Sequence, residues 1–176
     1  MALQIRISLS RQTLELIDEN GLCIRRYPVS TAANGAGERK MSFCTPRGKH
    51  IIRAKIGANC PENTIFVARR PSGEIFLPGL KAKFPQRDWI LARILWLSGC
   101  EPGVNRLGCV DTMQRSIYIH GCPEGAITGV PESRGCIRMN NQDIIELFDL
   151  VPVYTPVEIF DKNAPYIIQG ASGERE

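Results

Sequence analysis

The sequence has few of the residues from which many metal and catalytic sites are built. Only two of its 176 residues are histidines, His50 and His120. Seven cysteines are present, but no two have the C-x-x-C spacing typical of zinc ligands. We therefore predict no zinc site. The cysteines are Cys23, Cys44, Cys60, Cys100, Cys109, Cys122 and Cys136.

The chain also lacks long apolar runs and concentrations of charge of one sign. Its densest apolar stretch, residues 89–97, is interrupted by Arg93 and is too short to cross a bilayer. Lysine and arginine number 22 against 18 acidic residues, which gives a net charge of +4, and they are scattered along the chain. A nucleic-acid-binding protein is expected to show a basic stripe. We therefore predict no membrane span and no nucleic-acid partner.

The first eight residues, Met-Ala-Leu-Gln-Ile-Arg-Ile-Ser, show no apolar segment followed by a small-residue cleavage site. No signal peptide is therefore visible. Seven thiols without an obvious pairing pattern favour a reducing compartment. We expect a cytoplasmic location, and the alternative is a periplasmic location if a leader has been removed.

Short segments of alternating hydrophobicity, separated by turn residues, predict a mixed, mainly β fold. Two short helices are predicted at residues 88–98, capped by Asp88, and at residues 140–150. We predict one catalytic domain over residues 1–162 and a partly disordered tail over residues 163–176. Strands are predicted at residues 3–9, 13–18, 22–30, 50–56, 65–68, 116–120 and 157–160.

The chemistry of the chain is indicated by Ser133-Arg134-Gly135-Cys136, which follows His120 in the sequence. A cysteine thiolate served by a histidine base, with backbone amides in a glycine turn for an oxyanion, is the minimum set for acyl transfer through a thioester. The alternative is that Cys136 is a buried core thiol and His120 a hydrogen-bonded histidine at a strand end. His50 is predicted to be structural or exposed.

These motifs, in this order, resemble the L,D-transpeptidases with a YkuD-type catalytic domain, whose signature is a His-Gly, a gap and then Ser/Thr-His-Gly-Cys. Tyr27-Pro-Val-Ser-Thr31 is similar to the early strands of that family. Thr45-Pro-Arg-Gly48 and Thr155-Pro-Val-Glu-Ile159 are similar to its Thr-Pro-x-Gly turn and its final strand. The resemblance covers nearly the whole chain and points to a compact proteobacterial branch. It implies a YkuD-like β-sandwich-type core with two short helices.

The resemblance also implies roles for individual residues. Cys136 would be the nucleophile, and His120 the general base and later the general acid. The backbone N–H groups of Arg134, Gly135 and Cys136 would hold the oxyanion. The substrate would be a peptidoglycan stem peptide or muropeptide, cleaved between its L-centred diamino acid and D-alanine. Neither a metal nor a cofactor is needed, and β-lactams of the carbapenem type are expected to acylate Cys136.

The chain departs from the family pattern near the nucleophile. Arg134 stands where a second histidine is usual, Arg138 where asparagine is frequent, and Cys122 where threonine is common. A positive charge at Arg134 would favour the thiolate of Cys136 or bind a substrate carboxylate. The residues expected to bind substrate are Ser133, Arg134, Arg138, Tyr118 and Gly121.

The acceptor of the acyl group depends on the compartment. In the cytosol there is no wall to cross-link, so water is the expected acceptor and the activity would be that of an L,D-carboxypeptidase in muropeptide recycling. A periplasmic L,D-transpeptidase that forms cross-links is the first alternative. A non-catalytic stem-peptide-binding module, suggested by the missing second histidine, is the second. A redox-sensing thiol protein would explain the cysteines but not the ordered motifs.

Overall fold

The computed structural model describes residues 2–162, so the prediction for the tail, residues 163–176, lies outside the described residues. The domain bounds stay a prediction. The described chain folds mainly into β-strands, as expected. They are β1 (Gln4–Ser8), β2 (Thr13–Ile17), β3 (Cys23–Pro28), β4 (Gly48–Ile56), β5 (Thr64–Val67), β6 (Arg70–Ile75), β7 (Leu91–Gly99), β8 (Tyr118–Cys122), β9 (Ile137–Asn140) and β10 (Pro156–Phe160). Two helices, α1 (Leu80–Lys83) and α2 (Asn141–Leu150), and a 3-10 turn at Gly108–Val110 complete it.

The described strands form one curled sheet in the order β3-β2-β1-β10-β4-β7-β5-β6, and β8 and β9 extend it from β7. The chain after β3 returns to β9, where the backbones of Ser30 and Arg138 exchange hydrogen bonds of 3.0 and 2.9 Å. This closure brings the Ser30–Ala32 segment beside the turn that precedes β9, where Ala32 bridges to Ser133. The mainly β, sandwich-type core is therefore confirmed.

The predicted helix at residues 88–98 is wrong, because Leu91–Gly99 is strand β7 at the centre of the sheet. Both faces of this strand are covered: Leu95 and Leu97 enter the main core, and Ile94 and Trp96 join a second cluster on the other face. A strand buried on both faces reads as a continuous apolar run, which periodicity alone cannot separate from a buried helix. Asp88 consequently caps no helix.

Helix α2 covers one face of β7, β8 and β9 through Ile144, Leu147 and Phe148, as its apolar face predicted. The main core lies between this helix and the sheet and contains Ile119 and Ile137. Because side chains alternate along a strand, the neighbours of these two residues point to the opposite face of the sheet. That second face carries the functional residues.

Candidate active site

The parallel pairing of β8 with β9 places His120 and Cys136 on one face of the sheet. Ile119 pairs with Ile137 and His120 with Arg138, so the register sets Cys136 beside Tyr118. The Tyr118 N–H confirms this by donating to the Cys136 sulfur at 3.4 Å. His120 lies two residues beyond Tyr118 and shares its face. The predicted nucleophile and base are thus diagonal neighbours on adjacent strands.

The His120 imidazole is held in the tautomer that a general base requires. Its Nδ1 lies 2.7 Å from the carbonyl oxygen of Gly121. A carbonyl only accepts hydrogen bonds, so Nδ1 carries the proton and Nε2 keeps its lone pair. Nε2 is buried and has no hydrogen-bond partner among residues 2–162. Burial lowers the pKa of His120, and the Asp88 carboxylate opposes that shift, so the ring is neutral at pH 7.

The Cys136 thiol is protonated in the resting site. Its Sγ donates to the carbonyl oxygen of Ser116 at 3.4 Å. Burial raises the pKa of this thiol to about 12, although the Tyr118 N–H, Arg138 and Arg115 oppose the shift. We expected the charge of Arg134 to favour the thiolate; the cations that lower this pKa are Arg138 and Arg115 instead, and burial outweighs them. A neutral thiol and a neutral imidazole with a free Nε2 thus share one face of the sheet.

The turn before Cys136 is built by Ser133 and Gly135. The Ser133 hydroxyl accepts from the Gly135 N–H at 3.1 Å and donates to the carbonyl oxygen of Cys136. Gly135 has φ +131°, and a Cβ there would lie 3.0 Å from a methyl of Ile117, so only glycine fits. The Gly135 N–H, one of the three amides predicted to hold the oxyanion, is therefore already engaged, and the role of the Arg134 and Cys136 amides stays a prediction.

A cavity of about 340 Å³ opens beside Cys136. Ser133, Arg134 and Arg138 line it, as expected for substrate-binding residues. Arg134 is exposed, whereas Arg138 is half-buried and forms an ion pair of 3.0 Å with Asp88. The full wall comprises Lys40, Met41, Phe43, Asp88, Gln114, Arg115, Ser116, Ile117, Ser133, Arg134, Cys136 and Arg138.

Two of the expected substrate-binding residues do not line this cavity. Tyr118 is buried, packs edge-on against Trp96, and its hydroxyl accepts from Arg69 at 2.9 Å. Gly121 is buried where a Cβ would lie 2.7 Å from the carbonyl oxygen of Leu91, so its smallness allows the strands to approach. Its carbonyl contributes by orienting His120 rather than by touching substrate.

The remaining reactive side chains have structural positions. Cys122 is buried and donates to the carbonyl oxygen of Met139 at 3.1 Å, as expected of a small space-filling residue. His50 is buried, with Nδ1 3.0 Å from the carbonyl oxygen of Gly48 and Nε2 3.1 Å from the Thr112 hydroxyl. Its predicted structural role is therefore confirmed.

Sequence reasoning missed Asp88, Arg115, Met41 and Phe43 in the cavity wall. Asp88 was predicted to cap a helix, and no local sequence pattern indicates its ion pair with Arg138, 50 residues away. Met41 and Phe43 are apolar side chains in an otherwise polar loop, and that contrast was the available clue. Arg115 lies five residues before His120. No general sequence rule places a residue at that spacing beside the nucleophile, Cys136.

The model of the L,D-transpeptidase catalytic domain, YkuD, matches residues 3–159. The chain belongs to this family. A putative L,D-transpeptidase YkuD of Bacillus licheniformis is 29% identical over 157 residues, which are 89% of this chain and 64% of that protein. The probable L,D-transpeptidase ErfK/SrfK of Escherichia coli is 48% identical over 52 residues, 30% of this chain and 17% of that one.

The fold is also that of solved L,D-transpeptidases. L,D-transpeptidase 3 of Mycobacterium tuberculosis, solved with a faropenem-derived adduct, has a TM-score of 0.51 and 16% identity, covering 90% of this chain and 60% of that one. The present chain thus spans less than two thirds of each of these three proteins. As a family member it has the mainly β fold of an enzyme family, and its own reaction is argued below.

No helix within residues 2–162 is long and apolar enough to cross a membrane. In the same part of the chain, no three histidine, cysteine, aspartate or glutamate side chains form a group that could hold a metal ion.

Proposed function

We propose that this chain is an L,D-carboxypeptidase, a cysteine acyltransferase that removes D-alanine from peptidoglycan stem peptides and uses water as the acceptor. The observation that carries the proposal is the state of His120, a buried neutral imidazole whose free Nε2 shares a sheet face with Cys136. Such a pair supplies a nucleophile and a base that is fixed in the correct tautomer.

The first half of the reaction forms a thioester. The Cys136 proton passes to Nε2 of His120 as the sulfur attacks the carbonyl carbon of the diamino acid. The oxyanion is held by the amides of Cys136 and Arg134. When the C–N bond breaks, the imidazolium of His120 gives its proton to the departing amine, and D-alanine leaves.

The second half returns the enzyme to its starting state. Water attacks the thioester carbonyl as His120 accepts one of its protons. The C–S bond breaks, the proton on His120 passes to the Cys136 sulfur, and the tripeptide leaves with a new carboxyl group, which gives its remaining proton to solvent. The base and acid steps use one histidine, which agrees with the presence of a single histidine near the nucleophile.

The charge of the cavity supports a substrate that carries a carboxylate. Lys40, Arg115, Arg134 and Arg138 line it against one acidic residue, Asp88. Arginine forks are well suited to carboxylates. The C-terminal carboxylate of D-alanine is the anion nearest to the scissile bond, so we assign Arg134, an exposed cation of this wall, to it.

The compartment favours water over an amine as acceptor. All seven cysteines are unpaired, and Cys100 and Cys109 are exposed. Free exposed thiols are typical of a reducing compartment, which supports a cytoplasmic location. In the cytosol the soluble muropeptides that return from the wall are the available substrates.

The test is product analysis with a soluble disaccharide-tetrapeptide, with and without added D-methionine as a competing amine. We expect disaccharide-tripeptide and free D-alanine, with little exchanged product. The Cys136→Ala variant should be inactive, and Cys100→Ser, which removes an exposed thiol away from the cavity, should keep full activity. Cross-linked dimers or extensive D-methionine exchange would establish a transpeptidase instead. Tight binding without turnover would establish the binding module.

A further inference from the structure

Arg115 is a half-buried cation in the wall of the active site. It directly precedes Ser116, whose carbonyl oxygen lies 3.4 Å from the Cys136 sulfur. The side chains of Arg115 and Cys136 line the same cavity. Burial lowers the pKa of the Arg115 guanidinium, yet arginine stays charged in proteins. A permanent positive charge therefore stands beside the nucleophile.

The guanidinium of Arg115 binds one loop, residues 37–44, here called the cavity loop. It donates to the carbonyl oxygens of Gly37, Glu38 and Cys44 at 3.2, 2.9 and 2.6 Å, and to the Ser42 hydroxyl at 3.3 Å. All four acceptors are neutral. One side chain thus fixes both ends and the middle of the cavity loop.

The cavity loop places apolar side chains over the site at a conformational cost. Met41 and Phe43 line the cavity although they are 74% and 49% exposed. Both have positive φ, 65° and 56°, which side chains other than glycine adopt with strain. Such a backbone persists only when surrounding contacts hold it, and Arg115 supplies four of them.

The charge of Arg115 is not neutralised by a carboxylate. Within residues 2–162 it takes part in no ion pair. The nearby carboxylate of Glu38 pairs with Arg47 at 2.8 Å instead. The Glu38 carboxylate acts on Arg115 at longer range and offsets part of its field, and the remainder reaches other groups in the cavity, Cys136 among them.

The other charged groups that face Cys136 are weaker candidates for stabilising a thiolate there. Arg138 pairs with Asp88 at 3.0 Å, and the two act on the pKa of the Cys136 thiol in opposite directions. Lys40 and Arg134 are exposed, so solvent screens them. His120 is neutral until it receives the proton. Arg115 is therefore the cation whose field acts on the sulfur with least cancellation.

We propose that Arg115 is a positioning residue for acyl transfer, which holds the cavity loop over Cys136 and stabilises the thiolate that forms when His120 takes the proton. The inference rests on the proposed function, in which Cys136 is the nucleophile. The stabilisation of the thiolate is thus assigned to Arg115. Arg134, which departs from the family motif, is assigned to binding the substrate.

The charge role is tested by the rate at which iodoacetamide alkylates Cys136, read from the modified peptide between pH 6 and 10. Exposed Cys100 in the same molecule is the reference thiol. Both Arg115→Gln and Arg115→Lys lose the fit of the guanidinium to the cavity loop, but only the lysine variant keeps the positive charge. We expect the alkylation of Cys136, relative to Cys100, to be about tenfold slower in Arg115→Gln than in Arg115→Lys, because the thiolate fraction falls. The ratio of the two variants isolates the charge, since any gain in exposure of the thiol is common to both.

The clamp role is tested by trypsin, which cuts after Arg39 and Lys40 within the cavity loop. Both variants should be cut there several-fold faster than the wild type. Arg53→Gln, an arginine that stacks on the ring of Tyr154, is the matched control and should change neither readout.

Alkylation of Cys136 that is as fast in Arg115→Gln as in Arg115→Lys, or faster, would overturn the charge role, and an unchanged cleavage rate would overturn the clamp. Reaction of buried Cys122 would reveal unfolding, and Arg115→Met would then replace the glutamine variant. Alkylation does not depend on turnover. An Arg115 effect in a protein that never cleaves tetrapeptide would therefore refute the proposed function alone.

Discussion

Acid should destabilise the fold through His50, the buried histidine that the chemistry does not use. Its ring nitrogens contact the carbonyl of Gly48 and the hydroxyl of Thr112. Nδ1 donates to the carbonyl oxygen of Gly48, and Nε2 competes for the single Thr112 hydroxyl proton with the carbonyl oxygen of Asn105, 2.9 Å from that hydroxyl. Burial lowers the pKa of His50 from 6.5 to about 4. Protonation would place a charge in the core, and the loss of solvation of that charge is the cost that lowers the pKa.

The sign and size of the effect follow from linkage. The folded-state pKa lies below the unfolded value, so the stabilisation is fully present above pH 6.5 and is lost as the pH falls toward 4. The separation of the two values corresponds to about 3 kcal/mol in the free energy of unfolding. Thr112 begins the segment that carries Arg115 and Ser116, so the loss should also loosen the wall of the cavity.

The assay is urea unfolding of wild type and His50→Gln at pH 7.5 and pH 4. Glutamine does not titrate, and the carboxylates and His120 titrate in both proteins, so the difference between the two pH dependences isolates His50. We expect wild type to lose about 3 kcal/mol more than the variant, whatever the absolute stability of the variant. Equal losses in the two proteins would refute the reasoning.

Three further predictions concern the site. His120→Gln should lower kcat/KM for tetrapeptide about 10²- to 10⁴-fold while the protein stays folded, and steady-state kinetics with circular dichroism would check this. Gly135→Ala should cost at least about 1–2 kcal/mol in urea unfolding and abolish turnover, because φ +131° disfavours alanine and its Cβ would press on Ile117; retained activity would contradict the role of this turn. A carbapenem should add its mass to wild type but not to Cys136→Ala in intact-mass spectra, and an adduct on another cysteine would count against Cys136.

The sequence predicted the elements whose pattern is local. Helix α2 has a one-sided apolar face, and β10 is a short alternating segment, so period and turn residues were sufficient. Strand β7 was mistaken for a helix because burial on both faces removes the alternation that identifies a strand. Its β-branched and aromatic residues, Ile94 and Trp96 among them, were the remaining signal for a strand.

The site was predictable in its chemistry and not in its surroundings. Cys136, His120 and Gly135 belong to one compact motif pair, and the β8–β9 register brings them together. Tyr118 shares the face of His120, but its burial beneath Arg69 depends on a hairpin distant in sequence. The ion pair of Asp88 with Arg138 likewise joins residues 50 positions apart in the sequence. The hydrogen bonds of Arg115 join it to the cavity loop, about 75 positions earlier. No local pattern encodes such contacts.

The measurement that tests the central claim most directly is the intact mass of the enzyme, quenched in acid during turnover of disaccharide-tetrapeptide. The account predicts a transient adduct with the mass of the disaccharide-tripeptide acyl group, mapped to Cys136, that decays to tripeptide in water and is absent in Cys136→Ala. Release of D-alanine by the Cys136→Ala variant, or turnover with the acyl group on another residue, would contradict it.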